Sequence, residues 1–261
     1  MQMRSRQLLN YVAASIFIGA WAYCETPPPQ YDQKFTPEVM LLKESDPRLF
    51  ALNEETTNEH DAIYLGDFTV PDAVRRQAMA AWHKSPRPPD EEAYIVTTLF
   101  DAYAQDPPNW PVVQVALSVA WKGVQDVRVE TLARGLIESA ADLPDEAMNS
   151  VAPAIGYLAL SGNDRNIELV KKATSRAFVG VDAEPDAGYV GGPRESLCQC
   201  ALVALFMYPP LDQAIDALRD VSKSHVDTKS GFNRSIRENA GDLLDQLKRV
   251  QKGERVPMPR P

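Results

Sequence analysis

The sequence predicts an all-α protein, built either as a right-handed α-solenoid or as an irregular stack of antiparallel helical hairpins. Two observations lead there. Apolar residues recur at helical spacing along residues 35–251, with prolines and glycines falling between the stripes and no alternating strand pattern among them. Three successive pairs of such stripes run from Asn109 to Lys223. A single helical pair cannot bury its apolar face alone, so neighbouring pairs must stack.

Residues 1–22 read as a targeting segment. Arg4 and Arg6 form a positive start, Leu8 to Ala22 is mostly apolar and uncharged, and Ala20-Trp21-Ala22 fits the small-x-small pattern of a signal peptidase site. The expectation is a secretory signal cut after Ala22, hence a periplasmic or extracellular protein. Two alternatives stay open: an uncleaved N-terminal anchor, and a lipoprotein acylated at Cys24. Residues 23–34 follow as a Pro-rich spacer containing Pro27, Pro28 and Pro29.

The helical domain is expected over 35–251. Thr36-Pro37-Glu38 opens a short helix through Val39, Leu41 and Leu42, and Asp46-Pro47 opens another through Leu49, Phe50 and Leu52. Asn53 to Asp61 is polar and reads as a solvated loop. Its Glu54, Glu55, Glu59, His60 and Asp61 lack the spacing of a zinc or calcium motif. Thr69 caps a helix that runs to Trp82, with Pro71 in its first turn and Asp72 at the positive end of the dipole. Ser85 to Pro89 is a rigid connector. Asp90 opens a helix through Leu99 and Tyr103 that Asp106-Pro107-Pro108 ends.

The three pairs come next. Asn109 caps Val112, Val115, Ala116, Val119 and Ala120; after Gly123 the partner stripe is Val129, Leu132, Ala133, Leu136, Ile137 and Ala140. The second pair is Val151, Ala154, Ile155, Leu158 and Ala159, then Ile167, Val170, Thr174, Ala177 and Phe178. A start near Asn149 or Ser150 would keep Pro153 in the first turn. The third is Cys198, Ala201, Leu202 and Leu205, then Leu211, Ala214, Ile215, Leu218 and Val221. A last helix carries Ile236, Ala240, Leu243, Leu244, Leu247 and Val250, with a charged outer face suited to a terminal cap. Residues 252–261 form a basic, Pro-containing tail expected to be disordered.

Val129-Glu130-Thr131-Leu132, Ile167-Glu168-Leu169-Val170 and Ile215-Asp216-Ala217-Leu218 occupy equivalent places, at offsets of 38 and 48 residues. Asp72, Val74, Arg75, Ala78 and Ala81, with weaker echoes at Asp126-Val127-Arg128 and Ile236-Arg237, resemble the second helix of a HEAT repeat. The resemblance covers roughly residues 71–250, and its spacing lies near the roughly 40–47 residues of such repeats. It implies that the Asp and Arg side chains link neighbouring repeats and catalyse nothing.

A net charge of −9 and 44% apolar residues describe a chain with a real core and no clustered basic footprint for nucleic acid. An acidic surface favours a basic partner. No cofactor or metal motif is present: His60, His83 and His225 stand apart, and there is no HExxH, CxxC or P-loop. Cys198 and Cys200, two apart on a helix, point to different faces, and Cys198 lies in the apolar stripe. His83, at a helix end, suits contact with terminal carbonyls. Trp110, Trp121 and Tyr208 fit core edges, with a concave binding surface as the alternative.

The best local candidate for a site is the loop from Gly180 to Pro193. Asp182, Glu184 and Asp186 alternate as in the start of a calcium loop, but Gly188 is one place late and no acid stands where the bidentate Glu belongs. These acids and Tyr189 are therefore candidate partner-binding residues. The expected role is an exported, non-enzymatic binding or scaffold protein that contacts a protein partner. Membrane contact is expected only through a retained or lipidated N-terminus. The alternatives are an envelope inhibitor or immunity-like protein with an acidic face, and an α-helical enzyme with a cleft of distant carboxylates.

Overall fold

The computed structural model describes residues 37–64, 72–180, 193–207, 211–224 and 231–254. These residues form helices and turns, with no strand among them. In chain order the helices are α1 (Pro37–Ser45), α2 (Pro47–Tyr64), α3 (Asp72–Lys84), α4 (Pro89–Tyr103), α5 (Trp110–Ala120) and α6 (Val127–Glu138). A 3-10 turn at Asp145–Ala147 leads into α7 (Met148–Ser161), followed by α8 (Asp164–Lys172), α9 (Pro193–Met207), α10 (Leu211–Ser224) and α11 (Gly231–Gln251).

Local chemistry places the boundaries. The carboxylate of Asp46 accepts the Leu49 amide at 3.0 Å where α2 begins, and it also accepts the Tyr94 hydroxyl. Asn109, Asp126 and Asn163 each accept an amide of the turn they cap. α7 ends at Gly162, whose φ of 67° is left-handed. Pro153, however, sits inside α7, which begins at Met148 and is led in by the 3-10 turn, so the helix starts earlier than the proline suggested. The Pro153 carbonyl finds a donor outside the helix, the Trp121 indole Nε1 at 2.8 Å.

The helices pack in alternation. α5 touches α7, α7 touches α9 and α9 touches α11; likewise α6 touches α8 and α8 touches α10. Between the two rows, α6 packs on α7, α7 on α8, and α9 on α10. The apolar stripes supply these contacts: Val129, Leu132, Ile167, Val170, Ile215 and Leu218 are all buried. The opposite side of the first row is covered too. α1 and α2 pack on α5, α3 packs on α7, and the Arg76 guanidinium lies 5.0 Å from the Phe206 ring centre of α9. Hence α5, α7 and α9 are buried around most of their circumference. Val113, Leu117, Ala152, Tyr157, Leu197 and Phe206 are as buried as the expected stripes.

Three expectations are corrected, and the buried face of α3, which the sequence left open, is added. Residues 53–61 are not a solvated loop but part of α2, with Asn53, Thr56 and His60 on its buried face. In α3 the buried side chains are Arg75, Arg76, Met79, Trp82 and His83, whereas Val74, Ala78 and Ala81 face out. Ala177 is exposed because α8 has already ended at Lys172. Finally, the Asp126–Arg128 ion pair links no two helices: Arg128 Nε reaches Asp126 at 3.0 Å within the same cap, while the Arg128 guanidinium lies 5.7 Å from the Phe100 ring centre of α4, and Val127 is 73% exposed. The polar links between successive helices lie elsewhere. Asn166 of α8 donates to Glu130 at 3.0 Å and accepts from Arg134 at 2.7 Å, both on α6. Lys171 reaches Asp220 of α10 at 2.8 Å.

Candidate functional site

Asp182, Glu184, Asp186 and Tyr189, with Gly188, lie outside the described residues, as do Cys24, Tyr208 and His225. The structure does define the base that carries their loop. On one side the chain arrives through Val179 and Gly180, whose φ is +78°. A Cβ on Gly180 would come within 2.9 Å of the Ala141 Cα, so only glycine brings the backbones this close. On the other side α9 departs through Arg194. Its Nη1 donates to the carbonyls of Ala140 at 2.6 Å and Val179 at 3.0 Å, its Nη2 to the carbonyl of Leu143, and its Nε to Asp145 at 3.0 Å. One rigid five-donor fork thus ties the loop's start to its end and both to the turn after α6.

Beneath this staple Arg176 pairs with Glu195 at 3.1 Å, each side chain less than a tenth exposed. Asp142, Asp145 and Glu146 are exposed around the rim. The base is thus buried and paired, and its outer edge is acidic. Arg194→Ala removes the donor from four carbonyls, those of Ala140, Ala141, Leu143 and Val179. It is expected to lower stability by about 2 kcal/mol and to speed cleavage within residues 181–192 under limited proteolysis. Unchanged melting and cleavage would show that Arg194 does not hold the base.

A second polar cluster joins α2, α3 and the end of α5. Arg87, buried in the connector, donates to the carbonyls of Lys122 at 2.7 Å and Val119 at 3.2 Å, to Thr56 Oγ1 at 2.6 Å and to Glu91 at 3.2 Å. Lys122 Nζ lies 2.9 Å from Glu55 and 2.7 Å from Glu59, and Trp82 Nε1 donates to Glu59 at 2.8 Å. Burial alone would raise the Glu59 carboxyl, but the bonds from Lys122 and Trp82 outweigh it and hold the group below its ordinary range. His83 Nδ1 donates to the Trp121 carbonyl at 2.5 Å, while Gln125 approaches Nε2 at 3.4 Å; the network therefore assigns a neutral ring with its proton on Nδ1. Burial lowers the His83 value below the ordinary one, against the Trp121 bond. The expected contact with terminal carbonyls is thus found, but with those of α5 rather than of His83's own helix.

The His60 ring packs on Trp82 and Trp121 at centre distances of 5.9 and 5.6 Å. It borders a cavity of about 20 Å³ that Ile155, Gly156 and Ala159 of α7 and Cys200 and Met207 of α9 complete. That volume suits one water-sized guest rather than a metabolite. Both thiols of α9 are buried. Burial pushes Cys198 and Cys200 far above the ordinary thiol value, so neither supplies a thiolate nucleophile. No three His, Cys, Asp or Glu side chains among the described residues form a metal-binding group, and no helix there is long and apolar enough to cross a membrane.

Among the described residues, the chemistry-bearing side chains named from the sequence are brought together only in part: Glu55 and Glu59 share Lys122. His60 and Cys200 border one small cavity, His83 serves a helix end, and Cys198 is core. The residues that organise both clusters, Arg87 and Arg194, were not singled out by motif. The signal was present: each is an arginine beside proline at the edge of a connector in an acidic chain. Comparison of the chain with protein-family models, with curated proteins and with solved structures finds no match.

Proposed function

We propose that this protein is an exported, non-enzymatic binding scaffold. It is a HEAT-like α-solenoid whose 181–192 loop, through Asp182, Glu184, Asp186 and Tyr189, contacts a basic protein partner. Three things support the reading. The alternating contacts of the α5–α7–α9–α11 and α6–α8–α10 rows are those expected when helical hairpins stack. The reactive side chains already have structural work, as the His83 bond to Trp121 and the buried thiols illustrate. Residues 1–22 carry the features of a secretory signal.

The observation that carries the site assignment is the Arg194 staple, which joins both flanks of the acidic loop to one buried base. Loops held on a rigid scaffold are where contact residues concentrate. The acids at Asp142, Asp145 and Glu146 extend the same sign of charge beside it. The test is affinity capture from a native envelope extract with the chain from Tyr23 as bait. A partner that Asp182→Ala/Glu184→Ala/Asp186→Ala loses, and that salt weakens, is the expected result. A partner retained equally by the triple variant would remove the loop from the contact.

A further inference from the structure

The second half of α2 and α3 bury mostly polar side chains. Elsewhere the buried faces are mostly apolar, as with Val129, Ala133, Leu136 and Ile137 of α6, although single polar links such as Asn239 with Gln199 occur there too. Between Asn53 and Lys84 the buried apolar side chains among the described residues are Met79 and Trp82, whereas Asn53, Thr56, His60, Arg75, Arg76 and His83 are buried and polar. The cavity bordered by His60 lies at this same contact, between α2 and the α7–α9 surface. The first half of α2 is anchored otherwise: Leu49, Phe50 and Leu52 are core, and Asp46 receives the Tyr94 hydroxyl. Few apolar contacts, a cavity and polar bonding mark an element that opens before the rest.

We infer that the second half of α2 together with α3 is an acid-released strap over the α5–α7–α9 row, with His83 as its catch. His83 is 1% exposed and fills its place as a neutral ring, its edge toward Tyr157 at 5.6 Å between centres. The charged group acting on it directly is Lys84 on its own helix; Glu130, Asp126 and Glu92 act on the Tyr157 ring beside it, and Arg87 and Lys122, with Glu55 and Glu59 on α2, hold the adjoining junction. Tyr157 of α7 presents a hydroxyl already donated to the Val124 carbonyl. A proton on Nε2 would create a buried cation facing Lys84, with the nearby carboxylates already engaged: Asp126 by Arg128, Glu130 by Asn166, and Glu55 and Glu59 by Lys122. Because the folded-state value of His83 lies below its ordinary one, the unfolded or opened segment takes up the proton first. The strap therefore holds fully above about pH 6.5 and weakens as pH falls through that value, levelling off below the folded-state value.

The test is hydrogen exchange by mass spectrometry on the full chain at about pH 7.5 and about pH 5, corrected for intrinsic rates. The expected result is about tenfold faster exchange in residues 56–64 and 72–84 at the lower pH, with α6, α8 and α10 unchanged. His83→Gln, which keeps an amide donor for the Trp121 carbonyl but cannot take a proton, should remove that acceleration. Acid exchange spread evenly over α5, α7 and α9, or an acceleration that survives His83→Gln, would overturn the proposal. If His83→Gln does not fold, the wild-type pattern decides alone: acceleration confined to α2 and α3 supports the strap, and a uniform one sinks it.

Discussion

Gly123→Ala is expected to cost about 4 kcal/mol and to lower the melting temperature by roughly 8–16 °C. Gly123 follows α5 with a φ of +72°, which L residues rarely adopt, and its amide donates to the His83 carbonyl at 3.0 Å. An added Cβ would stand 2.3 Å from the Ser85 carbonyl oxygen and 2.9 Å from the Arg87 Cγ. The first of these is backbone, so the connector itself must shift, and with it Arg87. Gly162→Ala separates the two effects. Gly162 has a φ of +67° but nothing within 4 Å of the added carbon, so only the backbone strain of about 1–2 kcal/mol remains. Thermal melts of both variants check this. Equal losses at the two positions would mean that the close approach at Ser85 is not there.

Arg87→Ala is expected to cost about 3 kcal/mol. The guanidinium, only 1% exposed, supplies the donors for two carbonyls at the end of α5 and for Thr56 of α2, so its removal unpairs three elements together. Glu91, by contrast, is 28% exposed and turns to water, which keeps the loss below that of a fully buried ion pair. Arg87→Lys keeps the charge but reaches one acceptor rather than several, and should recover less than half of the loss. Because Gly123 and Arg87 hold the same junction, the double variant should lose less than the two singles added. Chemical denaturation of the four proteins measures the coupling; strict additivity would place the two residues in separate structures.

The sequence was legible where burial is apolar and one-sided. The stripes Val129, Leu132, Leu136 and Ile236, Ala240, Leu243 lie on the buried faces their spacing implied. It was half legible where burial is all round. No Asp, Glu, Lys or Arg occurs from Trp110 to Trp121, from Met148 to Ser161 or from Ser196 to Met207, and that uninterrupted lack of charge, rather than any stripe, marks α5, α7 and α9 as helices covered on both sides. It was misleading where the buried face is polar. Asn53, Thr56 and His60 keep helical spacing, but polar residues at those places look like a loop, and in α3 the buried face is carried by Arg75, Arg76 and His83, which no apolar stripe marks. Of the site, the acidic stretch 181–192 lies outside the described residues, and only its flanks can be compared. Their base was not legible, because Arg194 binds carbonyls of residues 140, 141, 143 and 179, and main-chain acceptors leave no mark in a sequence.

The contact role of the stapled acidic loop is tested most directly by a hydrogen-exchange footprint of the chain with and without its captured partner. Protection centred on residues 180–194 and on the turn at 139–147 is the result expected. Protection confined to the outer faces of α4 or α11, with residues 180–194 exchanging as in the unbound chain, would contradict it.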